Sequence, residues 1–195
     1  MSFNRNRKVS FDDEMLVLVD EQDHDIGFKD KLSCHTGDGI LHRAFSIFIF
    51  NEKGQVLMQK RSDKKQLWPL YWSNSCCSHP RKGERIESAA ARRLREELGI
   101  NTDLTFLFKF QYQANYRDIG SENELCSVFI GKSNDPVSVN ENEIAEWNYL
   151  DITTLEEEIS EFPDHFTPWF KMEWEKMRSE YWSKVEDILD LKFKI

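Results

Sequence analysis

The 195-residue chain predicts a mixed α/β fold with a β-rich middle, one short central helix and a C-terminal helical layer. Three observations carry this. Apolar runs of strand length, the longest over 44–50, alternate with turn-forming residues. A helical pattern over 86–98 ends at Gly99. Beyond Pro168, apolar residues recur at three- and four-residue steps.

Met15-Leu16-Val17-Leu18-Val19 reads as the first strand, closed by the turn-like Asp23-His24-Asp25-Ile26-Gly27. Residues 29–42 read as a loop or short helix carrying polar groups. Residues 44–50 and 55–60 flank Asn51-Glu52-Lys53-Gly54 as a strand–turn–strand hairpin. In the 86–98 helix, Ala89, Ala90, Leu94 and Leu98 form the apolar face. Residues 103–116 and 122–131 read as two more strands, and 145–151 as a short one. Phe170, Trp174, Met177, Tyr181, Val185 and Ile188 predict one long packing helix.

Composition bounds the function. Net charge is −9, which argues against general nucleic-acid binding; an anionic ligand needs a local basic pocket. The four cysteines (Cys34, Cys76, Cys77, Cys126) show no paired-motif spacing, and a reduced, cytoplasmic setting is the plain expectation. The basic N-terminal stretch over 1–10 has no apolar run behind it, and no apolar run reaches membrane-spanning length. Neither a signal peptide nor a membrane span is expected.

The chemistry concentrates in Trp72-Ser73-Asn74-Ser75-Cys76-Cys77-Ser78-His79-Pro80. Proline pushes the residue before it toward extended geometry, and side chains two apart on an extended chain point the same way. Cys77 and His79 are therefore expected to face one site, with Cys76 facing away. His35 and His42 flank Thr36-Gly37-Asp38-Gly39, whereas His24 and His165 read as surface residues. A lone loop histidine is usually solvated or structural. Three histidines near a carboxylate pair suit a divalent metal such as Zn²⁺ or Mn²⁺ with more than four ligands.

The carboxylate pair is Glu122 and Glu124, which share a face at i and i+2 of a strand. Opposite apolar Leu125, Val128 and Ile130, they read as the start of a buried strand; like charges there call for a cation. The helix charges Glu84, Glu87, Arg92, Arg93, Arg95, Glu96 and Glu97 are most simply an ion-paired, solvated face. Gln59-Lys60-Arg61-Ser62-Asp63-Lys64-Lys65 is most simply a solvated basic turn.

Arg92-Arg93-Leu94-Arg95-Glu96-Glu97-Leu98-Gly99-Ile100 resembles the end of the Nudix box, and Glu84 falls at that box's earlier glutamate. Arg93 stands where the box has glutamate and Ser78 where it has its first glycine, which argues against ordinary nucleotide-diphosphate hydrolysis. Four further segments extend the resemblance: His35 to Phe45, Trp68 to Pro80, Glu122 to Cys126, and Phe166-Thr167-Pro168-Trp169. With these the chain resembles the type I isopentenyl diphosphate isomerase family.

The resemblance implies a Nudix-type mixed β-sheet sandwich with flanking helices and a long C-terminal helix, as a single domain over 1–195. It implies conversion of isopentenyl to dimethylallyl diphosphate through a tertiary carbocation. Cys77 and Glu124 correspond to the family's acid/base residues. His35, His42, His79, Glu122 and Glu124 correspond to its tight metal site, for Mn²⁺, Zn²⁺ or Mg²⁺. Glu97 corresponds to a ligand of a second Mg²⁺ that arrives with the diphosphate. Lys31, Arg61, Lys65 and Arg93 correspond to phosphate contacts, and Tyr112 and Trp169 to aromatics lining the hydrocarbon pocket. The expected partners are the two diphosphates, with no nucleic acid and no membrane, in a monomer or weak homodimer. A Nudix hydrolase and a non-enzymatic metal-binding module are the rival readings. Phosphate release marks the first, and loss of Cys77 or Glu124 chemistry the second.

Overall fold

A computed structural model describes residues 5–192; residues 1–4 of the basic N-terminal stretch and residues 193–195 lie outside it. Strands β1 (Met15–Val19), β2 (Asp25–Asp30), β3 (His42–Phe50), β4 (Val56–Arg61), β5 (Trp72–Ser73), β6 (Cys76–Ser78), β7 (Thr105–Tyr116), β8 (Gly120–Lys132) and β9 (Ile144–Leu150) form one mixed sheet. Helices α1 (Lys31–Cys34), α2 (Ile86–Leu98), α3 (Ile152–Glu161), α4 (Pro168–Lys176) and α5 (Trp182–Leu189) complete the fold.

β3 organises the sheet. It runs parallel to β8 over nine registered pairs, from His42↔Glu124 to Phe50↔Lys132. Part of its length pairs antiparallel with β6, with Ser46 opposite Cys77. The hairpin expected between 44–50 and 55–60 forms its turn, yet only Phe50 and Val56 pair across it. β4 instead ladders with β9 and β5. The reason is burial. Every residue of β3 except Arg43 is buried, and such a strand is driven to the middle of a sheet, between two covered faces.

One face packs on α2 through Phe45, Ile47, Ala89, Ala90, Leu94 and Leu98. α2 matches its expected bounds and ends at Gly99 with φ 70°, the left-handed stop that glycine adopts without strain. The other face packs on α3 to α5 through Phe48, Val128, Phe170, Trp174 and Val185. Val128 and Ile130 belong to this face with Cys126, two and four residues on, so they share the face of Glu124 rather than oppose it. Leu125 alone of the three faces the other way, into a small cluster with Val17 and Val19.

The expected long C-terminal helix is present over 168–189. A π-helical turn over Met177–Tyr181 separates α4 from α5. Trp174, Met177 and Val185 all reach the core. β2 and α3 were not anticipated, because each buries little; β2 has no fully buried residue. No helix among the described residues is long and apolar enough to cross a membrane.

Candidate active site

His42 begins β3 and Glu124 sits beside it in β8, so the parallel ladder alone brings an imidazole against a carboxylate. Glu122 precedes Glu124 on the same face. His35 closes α1, whose first turn is capped by Asp30 accepting from the Ser33 amide. His79 follows β6. The five side chains converge, each offering one ligand atom within 4.8 Å of all the others. The three imidazole centroids lie 4.8 to 5.2 Å apart.

Their orientation is fixed from behind. His35 Nδ1 donates to the Lys31 carbonyl and His42 Nδ1 to the Ile40 carbonyl, each at 2.7 Å. That tautomer leaves both Nε2 atoms as lone-pair donors aimed inward. His35 Nε2 lies 2.8 Å from Glu122 Oε2, and His79 Nε2 lies 2.8 Å from Glu124 Oε1. His42 Nε2 is buried without a hydrogen-bond partner. An orphaned inward-facing imidazole nitrogen amid four more ligand atoms is the arrangement that a divalent cation satisfies.

Burial works against charge on Glu124, but the nearby His42 imidazole, Nε2 3.7 Å from Oε1, and the Tyr112 hydroxyl hold its carboxyl below the usual value. Tyr112 donates to Glu124 Oε2 at 2.6 Å, and its own hydroxyl is pushed well up by burial and by that neighbour. Burial drives His79 well down, with His42 and His35 adding, so it stands as a neutral ligand.

Cys77 and His79 line the same cavity of about 400 Å³ with His35, Glu122, Glu124 and Tyr112, as their spacing predicted. Cys76 turns into the α2 side of the core. Burial pushes the Cys77 thiol up to about 12, with Arg61 opposing and Glu97, Glu124 and Glu173 reinforcing. At neutral pH it is a thiol and so a proton donor.

Trp169 forms the floor, its ring 6.2 Å from Tyr112 and its indole N–H donating to Ser73 Oγ at 3.1 Å. The Arg61 guanidinium sits 5.1 Å over that ring. Arg61 spends two further donors on the Trp68 and Leu67 carbonyls, leaving Nη1 3.9 Å from Cys77 Sγ. Gln59–Lys65 is therefore no solvated turn at this position: Arg61 is 8% exposed. Tyr116, four residues beyond Tyr112 at the end of β7, packs on Trp68.

The far end of the cavity holds Lys31, Lys65 and Arg93. Burial lowers Lys31 to about 8, with Lys65 and Arg93 adding repulsion. Glu143, unremarked in the sequence, sits among them. It pairs with Lys65, and its Oε2 lies 3.3 Å from Arg93 Nη2. The helix-face reading of the α2 charges fails for Arg93 and Glu97, both 2% exposed and paired at 2.6 Å. It holds for Glu84 and Glu96, which bind the Arg92 fork. Glu97 stands behind Arg93, outside the imidazole cluster. The N-terminal segment crosses this end, with the Val9 carbonyl accepting from Arg93 Nη1 at 2.6 Å and Ser10 Oγ from Lys31 Nζ at 2.5 Å. No sequence signal marked it; Glu143 lay in an acidic run that reads as surface.

A NUDIX domain model matches residues 40–170. The chain is 44% identical over 174 residues to isopentenyl-diphosphate Delta-isomerase 1 of Photorhabdus laumondii, spanning 88% of this chain and 99% of that one. It is 32% identical to isopentenyl-diphosphate delta-isomerase IDI1 of Gibberella zeae, over 97% of this chain and 84% of the relative. Among solved structures it is similar to DR0079 of Deinococcus radiodurans, with TM-score 0.63 and 23% identity over 76% of this chain and 90% of that one, a likeness of fold. The Nudix-type fold expected from the sequence is thereby met, and the chain belongs to the isopentenyl-diphosphate Delta-isomerase family within the Nudix superfamily.

Proposed function

We propose that this chain isomerises isopentenyl diphosphate to dimethylallyl diphosphate, as its curated relatives are named for doing, and that 1–195 acts as one domain. One observation carries the reading: a thiol and a carboxylate line one cavity whose other end is cationic.

Moving the double bond requires a proton onto one alkene carbon and another off an allylic carbon. The tertiary carbocation between them needs a dry pocket and two proton-transfer groups. Cys77 and Glu124 are assigned these roles. They stand on different strands, the first protonated at neutral pH and the second ionised. Tyr112 stays protonated beside Glu124 and holds one carboxylate oxygen. Which group donates to isopentenyl diphosphate depends on how the alkene lies between them.

Trp169 and Tyr112 exclude water from the hydrocarbon. Arg61 already covers one face of Trp169, so only the remaining face is left for a substrate cation. A desolvated cation–π contact adds about 2 kcal/mol, against roughly 8–23 kcal/mol for a typical enzymatic rate enhancement. Placement of the acid and of nearby negative charge therefore carries more of the barrier.

His35, His42, His79, Glu122 and Glu124 would hold a divalent cation, Mn²⁺, Zn²⁺ or Mg²⁺, whose charge fixes Glu124 and favours its ionised form. Glu97 would contact a Mg²⁺ that accompanies the diphosphate. Lys31, Lys65 and Arg93 supply charge for the diphosphate itself, with the flat Arg93 fork suited to phosphate oxygens. Arg61 is assigned to the phosphate-proximal wall. A cytoplasmic monomer or weak homodimer, binding neither nucleic acid nor membrane, completes the reading.

The test is conversion of isopentenyl diphosphate with Mg²⁺, with phosphate release followed in the same sample. Isomer without phosphate supports the proposal. Phosphate without isomer transfers the chain to the hydrolase reading.

A further inference from the structure

Residues 72–80 hold two polar side chains that the reaction above leaves unused, Ser73 and Asn74. Both are buried, as are Thr167 and Trp169 beside them. The Trp169 indole N–H donates to Ser73 Oγ at 3.1 Å. Thr167 Oγ1 lies 3.0 Å and Asn74 Oδ1 2.9 Å from the same oxygen. Asn74 Nδ2 donates to the Cys76 carbonyl at 2.8 Å and to the Ile47 carbonyl at 3.3 Å.

The donors and acceptors allow one direction. An indole N–H can only donate, and two carbonyls claim the amide protons of Asn74, which leaves its Oδ1 as an acceptor. The Ser73 hydroxyl therefore donates to Asn74 and accepts from Trp169 and Thr167, which fills its hydrogen-bonding capacity. The chain of bonds starts on the ring that floors the cavity and ends on the peptide between Cys76 and Cys77. Its middle is pinned twice. Ser73 pairs with Gln59 of β4, and at the start of α4 the Thr167 amide donates to the Trp72 carbonyl at 2.9 Å.

Packing and hydrogen bonding restrain the Trp169 ring in different ways. Arg61 covers one face at 5.1 Å, and Trp68 meets the ring at right angles at 5.2 Å. These contacts limit where the ring lies. The bond at Nε1, the single donor of an indole, fixes how it is turned within that space. We infer that Ser73, anchored by Asn74, is a positioning residue for isomerisation: it sets the open face of Trp169 toward the reacting carbons and holds that face in register with the Cys77 wall. This rests on the reaction assigned above. The consequence is chemical. A tertiary carbocation held against the indole face loses a proton and gives the alkene; one that meets water is captured. Capture bonds the water oxygen to the tertiary carbon, releases a proton and leaves a tertiary alcohol that keeps its diphosphate.

The test reads the ring first and the products second. Wild type and Ser73→Ala are labelled with ¹⁵N in their tryptophans, and the Trp169 indole signal is assigned by its loss in Trp169→Phe. In wild type that signal is protected from exchange with D₂O; in Ser73→Ala it moves upfield and exchanges roughly tenfold faster or more. Both proteins are then given isopentenyl diphosphate and Mg²⁺, and the products are resolved by NMR. The cationic end is untouched, so KM for Ser73→Ala stays within about twofold of wild type. Its kcat falls by roughly tenfold to a hundredfold, the scale of a displaced reacting group, and the tertiary alcohol appears beside dimethylallyl diphosphate. An unmoved indole signal, a raised KM with kcat unchanged, or pure dimethylallyl diphosphate at the wild-type kcat overturns the inference. If Ser73→Ala does not fold, the wild-type half still decides: a Trp169 indole that exchanges as fast as an exposed one overturns it. The two claims fail differently. No isomer from wild type rejects the assigned reaction and this role with it, whereas pure product at the wild-type kcat from Ser73→Ala rejects this role alone.

Discussion

At one end of the cavity, β3, β6 and β8 with the end of α1 set three imidazoles, a thiol and two carboxylates, and main-chain carbonyls lock the tautomers of His35 and His42. At the other end, α1, α2, the turn after β4, the loop before β9 and the N-terminal segment bring Lys31, Lys65 and Arg93 around Glu143. The first end is built of ligand atoms that lack a counter-charge, and the second of charges that already neutralise one another. A divalent cation would complete the first. In the second, a diphosphate must replace or join internal carboxylates, which favours its arrival with a cation of its own.

Breaking the sheet end gives the largest effects. Cys77→Ala and Glu124→Gln should each lower turnover by at least about 10³-fold, the scale of lost acid–base catalysis. Circular dichroism should stay unchanged, since neither change removes much core volume. Comparable turnover in either variant would unseat the assigned pair. His42→Ala should lower bound metal measured by elemental analysis, because it deletes the one orphaned inward nitrogen. Unchanged metal content would reject the cluster as a cation site.

The phosphate end should respond in KM. Restoring the box residue with Arg93→Glu would put three carboxylates together, since Arg93 stands between Glu97 and Glu143. That variant should lose stability as well as affinity. Arg93→Gln is the cleaner probe. Its KM should rise more than its kcat falls, and neither variant should gain hydrolysis. A close unit-charge pair is worth about 4 kcal/mol at an effective dielectric near 20, before screening and desolvation. An unchanged KM would remove Arg93 from the diphosphate site.

Glu143 gives a smaller, pH-dependent effect. Burial opposes its ionisation, but Lys65 and Arg93 hold its carboxyl down at about 2. A depressed folded pKa stabilises fully above the unfolded value of 4.5, and that stability is lost as pH falls toward 2. The contribution is roughly 3 kcal/mol before coupling to Glu97, whose carboxyl burial raises, reduces it. Urea unfolding of wild type and Glu143→Gln should differ most above pH 4.5 and converge near pH 2. Parallel pH profiles would contradict the ion-pair account. Cys76→Ala should change turnover least, because Cys76 faces the α2 side of the core.

The sheet end was legible in the chain because its residues sit in short rigid patterns. Glu122 and Glu124 alternate on a strand, His79 is locked by Pro80, and α2 announces itself by Ala89, Ala90, Leu94 and Gly99. The other end was not, for a physical reason. Glu143 and Glu173 lie among surface-like acids, and only packing distinguishes a buried carboxylate from a solvated one. The apolar recurrence after Pro168 marked the long C-terminal helix, but nothing in it announced the π-helical turn within. β3 looked like half of a hairpin because its true partner, β8, begins about seventy residues later in sequence, a separation that local pattern does not reveal.

The most direct measurement is NMR of isopentenyl diphosphate incubated with the protein and Mg²⁺ in D₂O. The protonating group exchanges with solvent between turnovers, so the account predicts dimethylallyl diphosphate carrying deuterium in its new methyl group. It predicts no phosphate or pyrophosphate release, and no product from Cys77→Ala or Glu124→Gln. Phosphate release from unisomerised substrate, or an isomer formed equally by both variants, would contradict it.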